Sequence, residues 1–170
     1  MRTLMTFLVG FGVSTAAYAH DDLNGQLTDL LSASEPATAE DYQKLGPNVE
    51  AELIAIAQDE DMALSRRSRA IGALGYVPSE SAREVVETTL TDAEAPSLMR
   101  RQAAFALATG WPDDNHVPLT AALADDDTQL RIAAAKALKL STDPNANEAL
   151  KARLEVEENE AVKKHLAVTE

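Results

Sequence analysis

The chain contains no cysteine, and only 4% of its residues are aromatic. The first absence excludes disulfides, thiol chemistry and Cys-ligated metal sites, so stability has to come from packing alone. The scarcity of aromatics goes with a lack of alternating apolar and polar segments bounded by turns, which leaves no candidate β-strand. Long apolar runs are scarce too. The clearest, Leu4 through Val13, is shorter than the roughly 20 residues that span a bilayer. Histidine is limited to His20, His116 and His165, and no His-Glu-x-x-His spacing offers a zinc site. There is no Gly-x-Ser-x-Gly elbow and no phosphate-cradling glycine loop. Positive charge is outnumbered: 15 Lys and Arg stand against 28 Asp and Glu, a net charge of −13. Such a chain repels phosphate backbones and anionic membranes, so nucleic acid is not an expected partner.

The first nineteen residues differ from the rest. Arg2 precedes the apolar run, and small residues lead to Ala17-Tyr18-Ala19. A basic start, a short apolar stretch and a small-x-small end form a secretory signal peptide. Residues 1–19 are therefore expected to be removed, with an uncleaved anchor as the alternative. Cleavage leaves 151 residues with a net charge of −14, enough for one domain. The site carries no Cys, which excludes a bacterial lipoprotein. The implied location is the periplasm or the cell exterior, with no stable membrane insertion after cleavage.

A repeat organises the rest of the chain. Ala73-Leu74, Ala106-Leu107 and Ala137-Leu138 are spaced by 33 and 31 residues. In that alignment Arg67, Arg100 and Arg131 fall in register, each six residues before its Ala. Ala70, Ala103 and Ala134 also align. Acidic turns precede the units: Asp59-Glu60-Asp61, Asp92-Ala93-Glu94 and Asp125-Asp126-Asp127. A weaker copy begins at Glu157-Glu158-Asn159 and continues through Lys163 and Leu166.

Each unit reads as two helices. Leu64, Ile71 and Leu74 share one helical face. Gly75 stands where a left-handed cap is expected, and Pro78 blocks continuation. Ser81-Ala82-Arg83-Glu84 has the capping-box spacing, and Val85, Val86 and Leu90 come next. Pro96 suits a first helical turn, with Met99, Ala103, Ala106 and Leu107 inward and Gly110 and Pro112 at the end. A shorter helix is expected from about Val117 to Ala124. Asp127 is the expected N-cap of the third unit, which buries Leu130, Ala134, Ala137 and Leu138. Past Pro144, Leu150 and Leu154 mark its partner helix. Upstream, Val49, Leu53, Ile54 and Ile56 form an apolar helix after Pro47. Asp22 to Ser32, with Leu23, Leu27, Leu30 and Leu31, reads as an N-terminal capping helix. Thr38 starts a short helix through Tyr42 and Leu45 that Gly46 ends. A lone helix pair cannot bury its own apolar face, whereas stacked pairs build one continuous core.

The pattern of acidic turn, Arg, Ala-Ala-x-Ala-Leu, turn and second helix resembles the short HEAT repeats of the phycobilisome-lyase type. The likeness covers roughly Pro47 to the C-terminus. It implies an all-α fold: a right-handed α-solenoid of about four HEAT-like helix pairs over residues 47–170, with residues 20–46 as capping helix and linker. It also implies a ladder of Asp and Arg along the repeats, at Asp61, Asp92 and Asp127 with Arg67, Arg100 and Arg131. Paired His-Glu dipeptides, the iron ligands of HEAT-like deoxyhypusine hydroxylases, are missing here. The bilin-lyase activity found in the family is not carried over to a short, exported chain without Cys.

A non-enzymatic scaffold with a protein partner, basic or mixed in charge, is the reading these features favour, with no cofactor. Arg66 and Arg101 flank the repeating arginines and are expected to be more exposed, which makes them candidate partner contacts. Tyr76 and Trp111 fall in the turns after the Arg-bearing helices, and such aromatics favour interfaces. The repeating arginines themselves could clamp an anion, but their step with the fold favours a structural ladder. Asp125-Asp126-Asp127 and Asp113-Asp114-Asn115 lack the alternating ligand spacing that calcium, with about six to eight oxygens, takes from an EF-hand loop. The alternative function is a metal-binding or enzyme-accessory role through the acidic turns or through His20. After cleavage, the amine and imidazole of His20 would stand together at the N-terminus and could chelate copper.

Overall fold

A computed structural model describes residues 15–35 and 37–167, with side chains from residue 22 onward. Among the described residues the chain is all-α, with ten helices and no strand. They are α1 (Thr15–Ser32), α2 (Ala39–Lys44), α3 (Val49–Gln58), α4 (Leu64–Leu74), α5 (Glu80–Thr91), α6 (Ser97–Gly110), α7 (His116–Ala122), α8 (Thr128–Leu140), α9 (Ala146–Val156) and α10 (Glu160–Leu166). No described helix is long and apolar enough to cross a membrane. The expected signal segment falls mostly outside the described residues, and the backbone of Thr15 to His20 belongs to α1.

Local chemistry sets most of the boundaries. Thr38 caps α2 in a reciprocal box: its hydroxyl accepts from the Asp41 N–H at 3.4 Å, and Asp41 Oδ2 accepts from the Thr38 N–H at 2.9 Å. Gly46, at φ +92°, then turns the chain in a region that side-chain-bearing residues rarely adopt. Asp127 caps α8 through the Gln129 N–H at 2.8 Å, and Asn159 caps α10 through the Ala161 N–H at 2.9 Å.

Two expected caps are placed differently. The cap of α5 is Ser79, whose hydroxyl accepts from the Ala82 N–H at 3.0 Å, so Ser81 lies inside the first turn. Pro78 disfavours helical backbone just before itself, and the chain leaves it extended at Ser79, ready to cap. Gly75 is right-handed, with φ −64°, and is not a left-handed cap. Its value is the missing side chain. A Cβ there would lie 2.7 Å from the Ala106 carbonyl oxygen and 2.9 Å from Ala106 Cα. Thus α4 and α6 meet almost backbone to backbone. Gly110 extends the seam, since its Cβ would lie 3.0 Å from the Gly75 carbonyl oxygen.

The packing forms two rows. Helices α4, α6, α8 and α10 touch in that order, and α3, α5, α7 and α9 touch in theirs. Between the rows, α4 packs on α3 and α5, α6 on α5, and α8 on α7 and α9. A helix with neighbours on several sides needs small residues. Ala103, Ala104, Ala106 and Ala108 of α6 and Ala133, Ala134, Ala135 and Ala137 of α8 are all buried. Leucines fill the space between the rows: Leu53, Leu74, Leu107, Leu138, Leu150 and Leu166 are each essentially inaccessible, each stabilising the fold by about 1.5–3 kcal/mol of transfer free energy. At the N-terminal end α1 buries Leu23, Leu27 and Leu31 against α3 and α4. Asn24 Nδ2 donates to Glu52 Oε1 of α3 at 3.0 Å.

Candidate functional site

Charge is divided between the rows. Helices α4, α6 and α8 together carry eight Lys and Arg and no acidic residue. Helices α3, α5, α7 and α9 carry seven Glu and three Lys or Arg. A net charge of −13 therefore conceals a basic layer.

Part of that positive charge is consumed within the fold. Arg100 Nε donates to the Leu90 carbonyl at 3.2 Å, and its Nη2 pairs with Asp125 Oδ2 at 2.5 Å. Arg131 forks onto Glu157 at 3.0 and 3.2 Å and donates to the Asp125 and Asp126 carbonyls. Arg153 adds a third donor group to Glu157, at 2.7 Å. Burial alone would push the Glu157 carboxyl up, but donation from Arg153, the Asn159 N–H and Arg131 holds it down at about 2. The expected Asp-Arg ladder thus has different acceptors. Arg100 takes Asp125 instead of Asp127, because Asp127 is occupied in capping α8 and in accepting from the Ser97 hydroxyl. Arg67 makes no ion pair with Asp61 or Asp92. Its Nε donates to the Ala57 carbonyl at 3.1 Å.

The acceptors share one local geometry. Asp59, Asp92, Asp125 and Glu157 each accept, at 2.9–3.0 Å, from the backbone N–H two residues on. The turn carboxylates are in this way used as internal acceptors. No group of three His, Asp or Glu able to hold a metal occurs among the described residues. The side chain of His20 lies outside the described residues.

What the fold leaves accessible on the basic layer is a groove. Between α1, α4 and α6 lies a cleft of about 350 Å³, walled by Leu30, Tyr42, Arg69, Tyr76 and Phe105. Between α6 and α8 lies another of about 200 Å³, bordered by Leu98, Arg101, Phe105, Ile132 and Lys136. Gln102 and Phe105 line both, so the two clefts adjoin along one groove with these side chains between them. Gly72 makes the close approach there possible, since a Cβ on it would stand 2.8 Å from Gln102 Oε1. Tyr76 stacks on Tyr42, with ring centroids 5.6 Å apart and planes inclined by 13°. Burial, then Tyr76, raises the Tyr42 phenol. Arg69 closes one end, donating to the Leu31 and Ala33 carbonyls at 2.7 and 3.0 Å. At the other end the His165 imidazole is lowered, first by burial and then by Lys136, Lys139 and Lys164. That registers a positive field beyond the groove.

Of the four contact residues expected from sequence, Arg101 and Tyr76 line the groove. Arg66 lies outside it, with its guanidinium 3.6 Å from Met62 Sδ. Trp111 is half-buried and packs onto the core. Sequence reasoning missed Phe105, Gln102, Ile132 and Lys136. Their spacing on α6 and α8 would have placed them on the face opposite the buried alanines.

A second polar cluster joins the α6–α7 and α8–α9 turns. His116 Nδ1 is 2.5 Å from Asp143 Oδ2. The Ser141 hydroxyl lies 2.7 Å from Asn115 Oδ1 and 2.9 Å from the Pro112 carbonyl. The Asn145 N–H and then His116 hold Asp143 below the ordinary carboxylate range. Since Ser141 faces Asn115 and Pro112 instead of the imidazole, serine and histidine do not form a nucleophile–base pair. Asn115 and Asp143 are buried and satisfied, and they stitch one turn to the next. No family model and no curated protein matches this chain.

Proposed function

We propose that this chain is an exported, non-enzymatic scaffold that binds another protein along one face of a HEAT-like α-solenoid of about four helix pairs. The observation that carries the reading is the layer of α4, α6 and α8, with eight cations, no carboxylate and two adjoining clefts. Two supports are structural. The helices of each row touch in chain order, which is how stacked pairs build an extended surface. Arg100 and Arg131 each bind a carboxylate from a following turn, as a ladder between repeats requires. Export rests on the signal-like residues 1–19. The acidic turns and the Glu-rich row suit a basic or mixed-charge partner, while the groove has the opposite sign.

The test is a tagged pull-down with in-cell crosslinking, expressed with the chain's own N-terminus and read by mass spectrometry. One dominant exported partner, with bait beginning at His20, is the expected result. Failure to enrich any partner, or bait that retains Met1, overturns the exported scaffold.

A further inference from the structure

The overall charge points to a basic partner, but the groove is lined by the wrong sign for one. Arg69, Arg101 and Lys136 border it, and none of them forms an ion pair among the described residues. Glu35, at the rim of the larger cleft, is the one carboxylate among its described lining residues. Asp127 lies near Arg101 but is held by α8 and Ser97. The floor is apolar and aromatic, with Tyr76, Phe105 and Ile132 half-buried.

We propose that this groove holds an extended acidic segment of the partner protein, with apolar side chains in the two clefts and carboxylates against Arg69, Arg101 and Lys136. The proposal rests on the scaffold reading and adds the chemistry of its occupant. Two small clefts separated by a shared Gln102 and Phe105 suit a strand of peptide with apolar residues spaced between acids. The alternative polyanion is nucleic acid. It would carry a charge on every unit past the acidic turns at Asp92–Glu94 and Asp125–Asp127, on a chain of net charge −13. Phosphate binding draws on an extended positive field that this chain lacks. A peptide needs only local complementarity, since exposed charges interact over about 8 Å at physiological salt.

The test is fluorescence anisotropy with the full processed chain and three labelled probes of about twelve units. One peptide alternates Asp or Glu with Leu or Phe, one replaces each acid by Lys, and the third is an oligothymidylate. The acidic peptide should bind best and weaken as salt rises. Arg101→Glu and Lys136→Glu should each cut its affinity by about tenfold, since each sets like charges opposite one another. Lys151→Glu, the same charge change on the exposed side of α9, should leave it within about twofold. Lys136 is exposed and makes no internal ion pair, so its variant remains informative if Arg101→Glu fails to fold. Equal or tighter binding of the Lys peptide or the oligothymidylate overturns the proposal. So does acidic-peptide binding that Lys136→Glu leaves unchanged. Failure of the acidic peptide, while the crosslinking experiment still returns a partner, removes the groove occupant and leaves the scaffold standing.

Discussion

Arg67 and Arg131 occupy the same place in their helices, six residues before an Ala-Leu pair, yet their surroundings differ. Arg131, with its side chain 11% exposed, is held by both Glu157 oxygens and two carbonyls. Arg67 is half-buried and donates to the Ala57 carbonyl without an ion pair among the described residues. The carboxylate that comes after Arg67 in register, Asp92, adopts the same turn as Asp125 and Glu157 but is exposed. Between Arg67 and Asp92 lies an open cavity of about 820 Å³, walled also by Ile71, Thr88 and Met99. One residue type in one register can therefore be a structural tie at one end of the molecule and a loosely held side chain at the other. What decides is whether the next turn brings its carboxylate within reach.

The difference between the two ends ranks the effects of substitution. Arg131→Ala should be the most damaging, with a loss of about 3 kcal/mol in urea unfolding, because it leaves buried Glu157 undercompensated. A loss under about 1 kcal/mol would reduce the tie to a surface pair. The same tie should make the fold acid-sensitive. The Glu157 carboxyl titrates at about 2 in the folded chain, against an ordinary value of 4.5. A depressed carboxyl contributes stability above its unfolded value and loses it as pH falls through the folded one. Stability should accordingly fall as pH drops from 4.5 towards 2. Glu157→Gln should flatten that part of the pH profile. Gly75→Ala should cost about 2 kcal/mol by forcing α4 off the Ala106 backbone, read as a fall in thermal midpoint. An unchanged midpoint would show that the seam can open. Arg100→Ala should cost about 2 kcal/mol, since Asp125 is less buried than Glu157. Arg67→Ala should cost less than about 1 kcal/mol. Equal losses for Arg67 and Arg100 would erase the distinction between the two ends.

Features set by neighbours in sequence were readable in advance. The caps by Thr38 and Asp127 depend on a side chain and an N–H two or three residues away, and both are present. The role of Gly75 was not readable, because its reason is a backbone atom of Ala106 on another helix. The acceptor of Arg100 was two residues off. Asp125 and Asp127 look alike in sequence, and only the geometry shows that capping α8 occupies one of them. Of the groove, Arg101 and Tyr76 were found from exposure and turn position. Phe105 and Lys136 were missed because they share a face only once α6 and α8 lie side by side. The basic layer could have been counted helix by helix. It was hidden by taking charge as a total.

The seam at Gly75 also bears on how the groove would meet an occupant. Tyr76 comes directly after Gly75, and Phe105 precedes Ala106, so two walls of the larger cleft are attached at the point where α4 and α6 touch backbone to backbone. With no side chain between them to change rotamer, the walls have little freedom to spread or close. That fixes the backbone on this side of the cleft, so an incoming segment would bear much of the ordering entropy itself. Changes that stiffen that segment, such as a proline where its backbone is already extended, should tighten binding more than changes that stiffen the protein.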